Sequence, residues 1–177
     1  VSGTGCLQGR VVVVTAGPTF EDIDPVRFIG NRSSGKMGFA VAEAALAAGA
    51  RVHLVAGPVN LRTPAGVERA DVRGAVEMRD VALALAAGAD LFISVAAVAD
   101  YTPAKPERQK IKKGPPRQTL DLESTPDIVA EVAAMEEGPL TVGFAAETEN
   151  LRQHARDKLS RKRLDMIAAN RVGLDGS

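Results

Sequence analysis

The chain has 177 residues, 45% apolar and 25% charged, and its 22 Lys and Arg balance 22 Asp and Glu. That length fits one domain able to bury about 70% of its unfolded surface, and the composition excludes wholesale disorder. Zero net charge argues against a general nucleic-acid binder, and 3% aromatics with no Trp leave few platforms for stacking bases.

Residues 10–16 (RVVVVTA) form a continuous β-branched run, the signature of a strand buried on both faces. A long loop rich in Pro, Gly, Asp and Ser follows. Residues 36–48 are Ala-rich and predict a helix closed by Gly49. Residues 51–56 (RVHLVA) predict a second strand, 76–87 a helix closed by Gly88, and 90–98 (DLFISVAAV) a third buried strand. Residues 119–122 predict a short edge strand. Pro126 opens a helix to about Met135, with Thr125 as its N-cap and Asp127 in its first turn. Residues 140–145 predict a strand, 151–163 a helix and 165–169 a final strand. This alternation implies an α/β fold, a Rossmann-like three-layer sandwich with a mostly parallel sheet and helices on both faces. Ligands of such sheets bind beyond the carboxyl ends of the strands.

The single cysteine, Cys6, excludes an intrachain disulfide and a multi-Cys zinc site, which fits a reducing cytoplasm. It has no nearby His and makes a poor nucleophile candidate. His53 and His154 form no HExxH motif. No apolar run approaches the roughly 18 residues of a membrane span, and the start VSGTG does not read as a signal peptide. With no initiator Met, and with RVGLDGS closing just after a strand-like segment, the chain is expected to be a single domain (1–177) excised from a longer one.

The first strand-to-helix connection carries the most information. It reads TAGPTFEDIDPVRFIGNRSSGKMG, from Thr15 to Gly38. A dinucleotide fingerprint needs GxGxxG directly after the strand, and Pro18 and Thr19 after Gly17 break it. A P-loop needs Ser or Thr after GK, and Met37 stands there. Ser33, Ser34, Gly35 and Lys36 nevertheless lead into a helix N-terminus, where free N–H groups and the dipole favour an anion. A serine N-cap is the simpler reading.

Other segments fall after strand ends. AAVADY (96–101) offers small residues for close backbone approach, and Asp100 fits a sugar or base contact or a turn before Pro103. KIKKG (110–114) lies in a loop with Pro103, Pro106, Pro115 and Pro116, read as a solvated basic loop or as a lid over phosphates. VGFAAET (142–148) places Phe144 to stack on a base or to pack in the core. Lys158 and Lys162, four apart, share one helix face.

TAGPTFEDIDPVRFIGNRSSGKMGFA, LVAGPV, AAVADY, KIKK, TPDIV, VGFAAET and the closing AAN together resemble the phosphopantothenate–cysteine ligase (phosphopantothenoylcysteine synthetase) domain. The resemblance runs from about Gly9 to Asn170. It implies a two-step reaction in which 4′-phosphopantothenate attacks the α-phosphorus of CTP, releasing pyrophosphate, and cysteine then displaces CMP. It implies Lys110 as catalytic in the first step and Asn31 in the second. It assigns Gly17, Ser33, Ser34, Ala96, Ala97, Asp100, Lys110, Pro126, Asp127, Ile128, Val129, Phe144, Lys158 and Lys162 to the nucleotide. It assigns Asn31, Arg32 and Lys112 to the acid substrate. Mg²⁺ is expected on the triphosphate, with no direct protein ligand assigned. The resemblance further implies a cytoplasmic homodimer, a flavin-binding decarboxylase domain fused upstream, C-terminal strands beyond Asn170, and neither nucleic-acid nor membrane partners.

Two other classes stay open at this stage. A nicotinamide-dependent oxidoreductase shares the fold but lacks the glycine fingerprint, and Arg51 stands where its ribose-binding acid is sought. A non-catalytic nucleotide-binding module would bind CTP and release no pyrophosphate.

Overall fold

A computed structural model describes residues 5–114, 117–147 and 150–171. Pro115, Pro116, Thr148, Glu149 and the terminal segments VSGT and VGLDGS lie outside the described residues. In chain order the elements are β1 (Val11–Ala16), β2 (Phe20–Asp22), β3 (Phe28–Gly30), α1 (Lys36–Ala47), β4 (Arg51–Ala56), β5 (Glu68–Asp71) and α2 (Ala75–Ala86). There follow β6 (Leu91–Ser94), β7 (Tyr101–Pro103), β8 (Leu122–Ser124), α3 (Ile128–Ala133), β9 (Leu140–Glu147), α4 (Leu151–Arg161) and β10 (Met166–Arg171).

Six strands make one sheet in the order β10-β9-β6-β1-β4-β5, and every pairing in it is parallel. This is the doubly wound order, with its switch point between β1 and β6, as the alternation of strands and helices predicts. The valine run sits at the centre, where both faces of a strand are covered. Val13 joins Val55, Met78, Phe92, Val132 and Leu164 on the side of α2 and α3. Val12 and Val14 join Phe39, Ala42, Val52 and Leu54 on the side of α1. The period-2 geometry of the strand thus feeds two cores from three consecutive valines.

Several boundaries differ from the sequence expectation. The third strand ends at Ser94, four residues before the predicted end, because the following alanines bond to the extension of β1 instead of to strand neighbours. Residues 119–122 join no edge of the main sheet. Leu122–Ser124 pairs antiparallel with Tyr101–Pro103 in a separate two-stranded sheet. The third helix starts at Ile128 with Asp127 as N-cap, its carboxylate accepting from Ala130 N at 3.3 Å. Thr125 is drawn away, donating through Oγ1 to Ala99 O. Neither Ser33 nor Ser34 caps α1; Gly35 does, at φ 75 with no side-chain bond. Gly49 closes α1 in the left-handed region (φ 96), whereas Gly88 after α2 is not in that region. Strands β2, β3, β5 and β7 had no sequence expectation. Among the described residues, no helix is long and apolar enough to cross a membrane.

Candidate functional site

The carboxyl edge of the sheet gathers three segment ends around glycine. Gly17 follows β1 at φ 77, and a Cβ on Gly35 would lie 3.4 Å from Gly17 Cα. A Cβ on either glycine would come within 2.9 Å of a Val59 methyl, on the loop after β4. One turn into α1, a Cβ on Gly38 would lie 2.4 Å from Ala16 Cβ. Turn, close approach and helix–strand packing are the three duties of a dinucleotide glycine fingerprint. Here they fall to Gly17, Gly35 and Gly38, split apart in sequence by the inserted β2–β3 hairpin. A contiguous motif search therefore fails on a geometry that is present.

Beyond Ser94 the chain runs on beside the extension of β1, pinned from both sides. Thr15 Oγ1 accepts from the N–H groups of Val95 and Ala96 at 3.3 Å each. Gly17 O accepts from Ala97 N at 2.8 Å, and Thr19 Oγ1 accepts from Ala99 N at 2.9 Å. From the other side, Asn31 Nδ2 donates to Val98 O at 2.8 Å and Thr125 Oγ1 to Ala99 O at 2.5 Å. Thr15 and Thr19 are buried, so each hydroxyl does inside the fold what a strand carbonyl does in a sheet. Sequence reasoning gave Thr15 and Thr19 no role and read Thr125 as a helix cap, since a hydroxyl that bonds a distant backbone leaves no local pattern.

This stretch floors a cavity of about 390 Å³, a size suited to a small ligand. Ala96, Ala97 and Asp100 line it from the floor. Pro126, Asp127, Ile128 and Val129 line it from the start of α3, and Phe144, Lys158 and Lys162 from β9 and α4. Ser94, Val95, Val98, Ala99 and Thr125 complete the wall. Two cations therefore face one acid-capped helix start. Lys162 Nζ lies 2.9 Å from Asp127 Oδ1, and Lys158 Nζ donates to Phe144 O at 2.6 Å.

The remaining expected residues sit around this cavity without lining it. Asn31 touches its floor through Val98. Arg32, Ser33 and Ser34 are exposed ahead of α1, with Ser33 Oγ accepting from Gly35 N at 3.2 Å. Lys110 and Lys112 are exposed on the loop between β7 and β8. That loop docks on the β2–β3 hairpin, where Glu107 N donates to Ile23 O at 2.8 Å and Ile111 N to Asp24 Oδ2 at 3.1 Å. Burial pushes the Asp24 carboxyl up. The N–H groups of Val26, Arg27 and Ile111, with the Arg27 charge, outweigh that and hold it below the usual carboxylate range. Next to it, the Arg73 guanidinium holds Asp22 low chiefly through its hydrogen bonds. Among the described residues no group of three or more His, Cys, Asp or Glu side chains is placed to hold a metal ion.

Comparison with known proteins supplies an independent reading. The profile of the DNA/pantothenate metabolism flavoprotein C-terminal domain matches residues 7–177. The coenzyme A biosynthesis bifunctional protein CoaBC of Vibrio cholerae is 54% identical over 173 residues, 96% of this chain and 43% of that protein. Its Bacillus subtilis counterpart is 48% identical over 172 residues, 97% of this chain and 42% of that protein. The chain thus spans less than half the length of the curated relatives it matches. A crystal structure of the C-terminal domain of a CoaBC protein superposes with a TM-score of 0.82 at 43% identity, covering 93% of this chain and 78% of that one.

Proposed function

The chain belongs to the family of DNA/pantothenate metabolism flavoprotein C-terminal domains, and from that premise we propose that it ligates 4′-phosphopantothenate to cysteine at the expense of CTP. The convergence of Ala96, Ala97, Asp100, Pro126–Val129, Phe144, Lys158 and Lys162 on one cavity carries this reading. Residues far apart in sequence meet there, at the edge of the sheet where this fold binds ligands.

The ligand-side chemistry has two steps. A carboxylate oxygen of 4′-phosphopantothenate attacks the α-phosphorus, the bond to pyrophosphate breaks, and an acyl cytidylate forms. The cysteine amine then attacks the acyl carbon, loses a proton, and expels CMP as the amide forms. The pinned backbone of residues 95–99 gives the nucleoside a rigid floor, and the alanines let it come close. Lys158 and Lys162 supply positive charge for the phosphates, with Lys162 shared between Asp127 and the ligand. Lys110 reaches in from the loop to the charge that builds on the α-phosphoryl oxygens. Lys112 and Arg32 meet the phosphate of the acid substrate. Asn31, held at Val98, presents a neutral amide that neither attacks the acyl cytidylate nor repels it. Lys110, Lys158 and Lys162 would share the neutralisation of the triphosphate with a Mg²⁺ bound to it.

The same reading makes the whole protein a cytoplasmic homodimer with a flavin-binding decarboxylase domain upstream. Support for the dimer comes from large apolar side chains left exposed on the two small sheets and their turns, Val26, Phe28, Tyr101 and Leu122. Support for the fused domain comes from the bifunctional relatives, more than twice as long as the aligned segment.

Pyrophosphate release tests the reading, measured with Mg²⁺, CTP and 4′-phosphopantothenate, without and with cysteine, and with ATP as comparison. Release that needs the acid and prefers CTP, followed by amide only after cysteine, is the expected result. Thermal stabilisation by CTP without release would leave a binding module. Stabilisation by NADPH and none by CTP would replace the ligase with an oxidoreductase.

A further inference from the structure

The loop that carries Lys110 and Lys112 has no regular secondary structure from Ala104 to Lys113, yet one point on it is held firmly. Asp24 has no exposed side-chain surface, and its two oxygens divide their partners. Oδ1 accepts from the N–H groups of Val26 and Arg27, both at 2.8 Å, which closes its own turn. Oδ2 accepts from Arg27 Nη1 at 2.7 Å and from Ile111 N at 3.1 Å. Arg27 then returns both Nη1 and Nη2 to Ile111 O at 3.3 Å. The two peptide groups so gripped are the ones that join Ile111 to Lys110 and to Lys112. Neither ammonium group has a hydrogen-bond or ion-pair partner among the described residues, so both are available to a ligand.

We propose that Asp24, acting with Arg27, is a positioning residue that fixes the backbone of Lys110 and Lys112 and so sets where their charges meet the phosphates. The turn needs only Oδ1; the bonds of Oδ2 are the ones that reach the loop. A carboxylate suits this place: it brings no donor of its own, so Oδ2 accepts from both groups where water does not reach, and its charge pairs with Arg27. The role in catalysis rests on the ligase reading above, while the grip on the loop does not.

Asp24→Asn separates the two oxygens. The amide oxygen replaces Oδ1 and keeps the turn, while the amide nitrogen opposes the Ile111 and Arg27 donors. Arg27→Gln removes the guanidinium bonds to Ile111 O from an exposed side chain and serves if Asp24→Asn does not fold. Trypsin cleavage of the folded protein at Lys110, Lys112 and Lys113 is the first readout. Both variants should be cut there at least about tenfold faster, with cleavage elsewhere and the melting temperature little changed. Unchanged cleavage in the loop overturns the grip.

Pyrophosphate release is the second readout. Asp24→Asn should lower kcat about tenfold with KM for CTP within about twofold, and should cost nothing further in a background where Lys110→Ala and Lys112→Ala are combined. An equal loss in both backgrounds overturns the positioning role, since Asp24 would then act without either lysine. A parent protein that releases no pyrophosphate refutes the ligase reading, and the cleavage rates still decide the grip.

Discussion

Gly38→Ala places one methyl group against the centre of the sheet. The new Cβ would lie 2.4 Å from Ala16 Cβ and 3.0 Å from Ala16 Cα, where carbon atoms ordinarily stay about 3.5–4.0 Å apart. Strand β1 cannot yield, because β4 and β6 pair with it on both sides. Helix α1 must therefore rise by about 1 Å, carrying Phe39 and Ala42 off Val12 and Val14. Overpacking of this kind costs about 1–3 kcal/mol, offset by about 1 kcal/mol because alanine is the better helix former. The net loss is about 0–2 kcal/mol, or at most roughly 8 °C in a domain of this size. Urea unfolding followed by circular dichroism should show a lower midpoint with an unchanged slope. Gly88→Ala is the control: nothing lies within 4 Å of its Cβ, so its stability should stay within about 0.5 kcal/mol of the parent. A Gly38→Ala protein more stable than the parent would show that helix propensity outweighs the contact, and would refute close packing as the reason for glycine here.

Lys110→Ala should slow pyrophosphate release by about 10²–10³, or about 3–4 kcal/mol, while calorimetry still detects CTP binding to the cavity. Thr19→Val keeps the side-chain shape but leaves Ala99 N without its acceptor. It should cost about 1–3 kcal/mol in urea unfolding and weaken CTP binding, because the floor shifts with that bond. The Val11 N–H, and then Arg10, hold Asp90 below the ordinary carboxylate range. Its stabilisation is therefore complete above the unfolded value near about 3.9 and is lost as pH falls through the lower folded value. Unfolding midpoints measured across that acid range should fall less steeply in Asp90→Asn than in the parent.

The order of strands and helices was legible because buried parallel strands are written in β-branched runs and their helices in alanine. The edge strand β5 was not, because its sequence ERAD has no apolar pattern: one edge and much of its surface face water. Strands β2, β3 and β7 have three residues each, too few for any period to register. The third strand was drawn too long because Val95 to Val98 are as apolar as a strand interior. What turns them from strand into floor is the pair of hydroxyls on Thr15 and Thr19, which composition does not separate from valine. The cavity-lining residues came from resemblance to a family, since their sequence separations gave no sign that α3, β9 and α4 share a wall. Ser33 and Ser34 misled for a local reason: Gly35 takes the left-handed conformation that starts α1, and no serine fits that geometry at low cost.

The pairing of β1 with both β4 and β6 also sets a schedule for synthesis. Thr15 waits for Val95, a partner 80 residues later, which is about 4–16 s at roughly 5–20 residues per second. Until then the most apolar strand of the chain has one bare edge, the kind that recruits stray strands from other chains. Lys158 and Lys162 emerge later still, so the cavity closes only when nearly all of the described chain has been made. Variants that slow the docking of β6 should therefore reveal themselves first as poor soluble yield, before any loss of ligand binding can be measured.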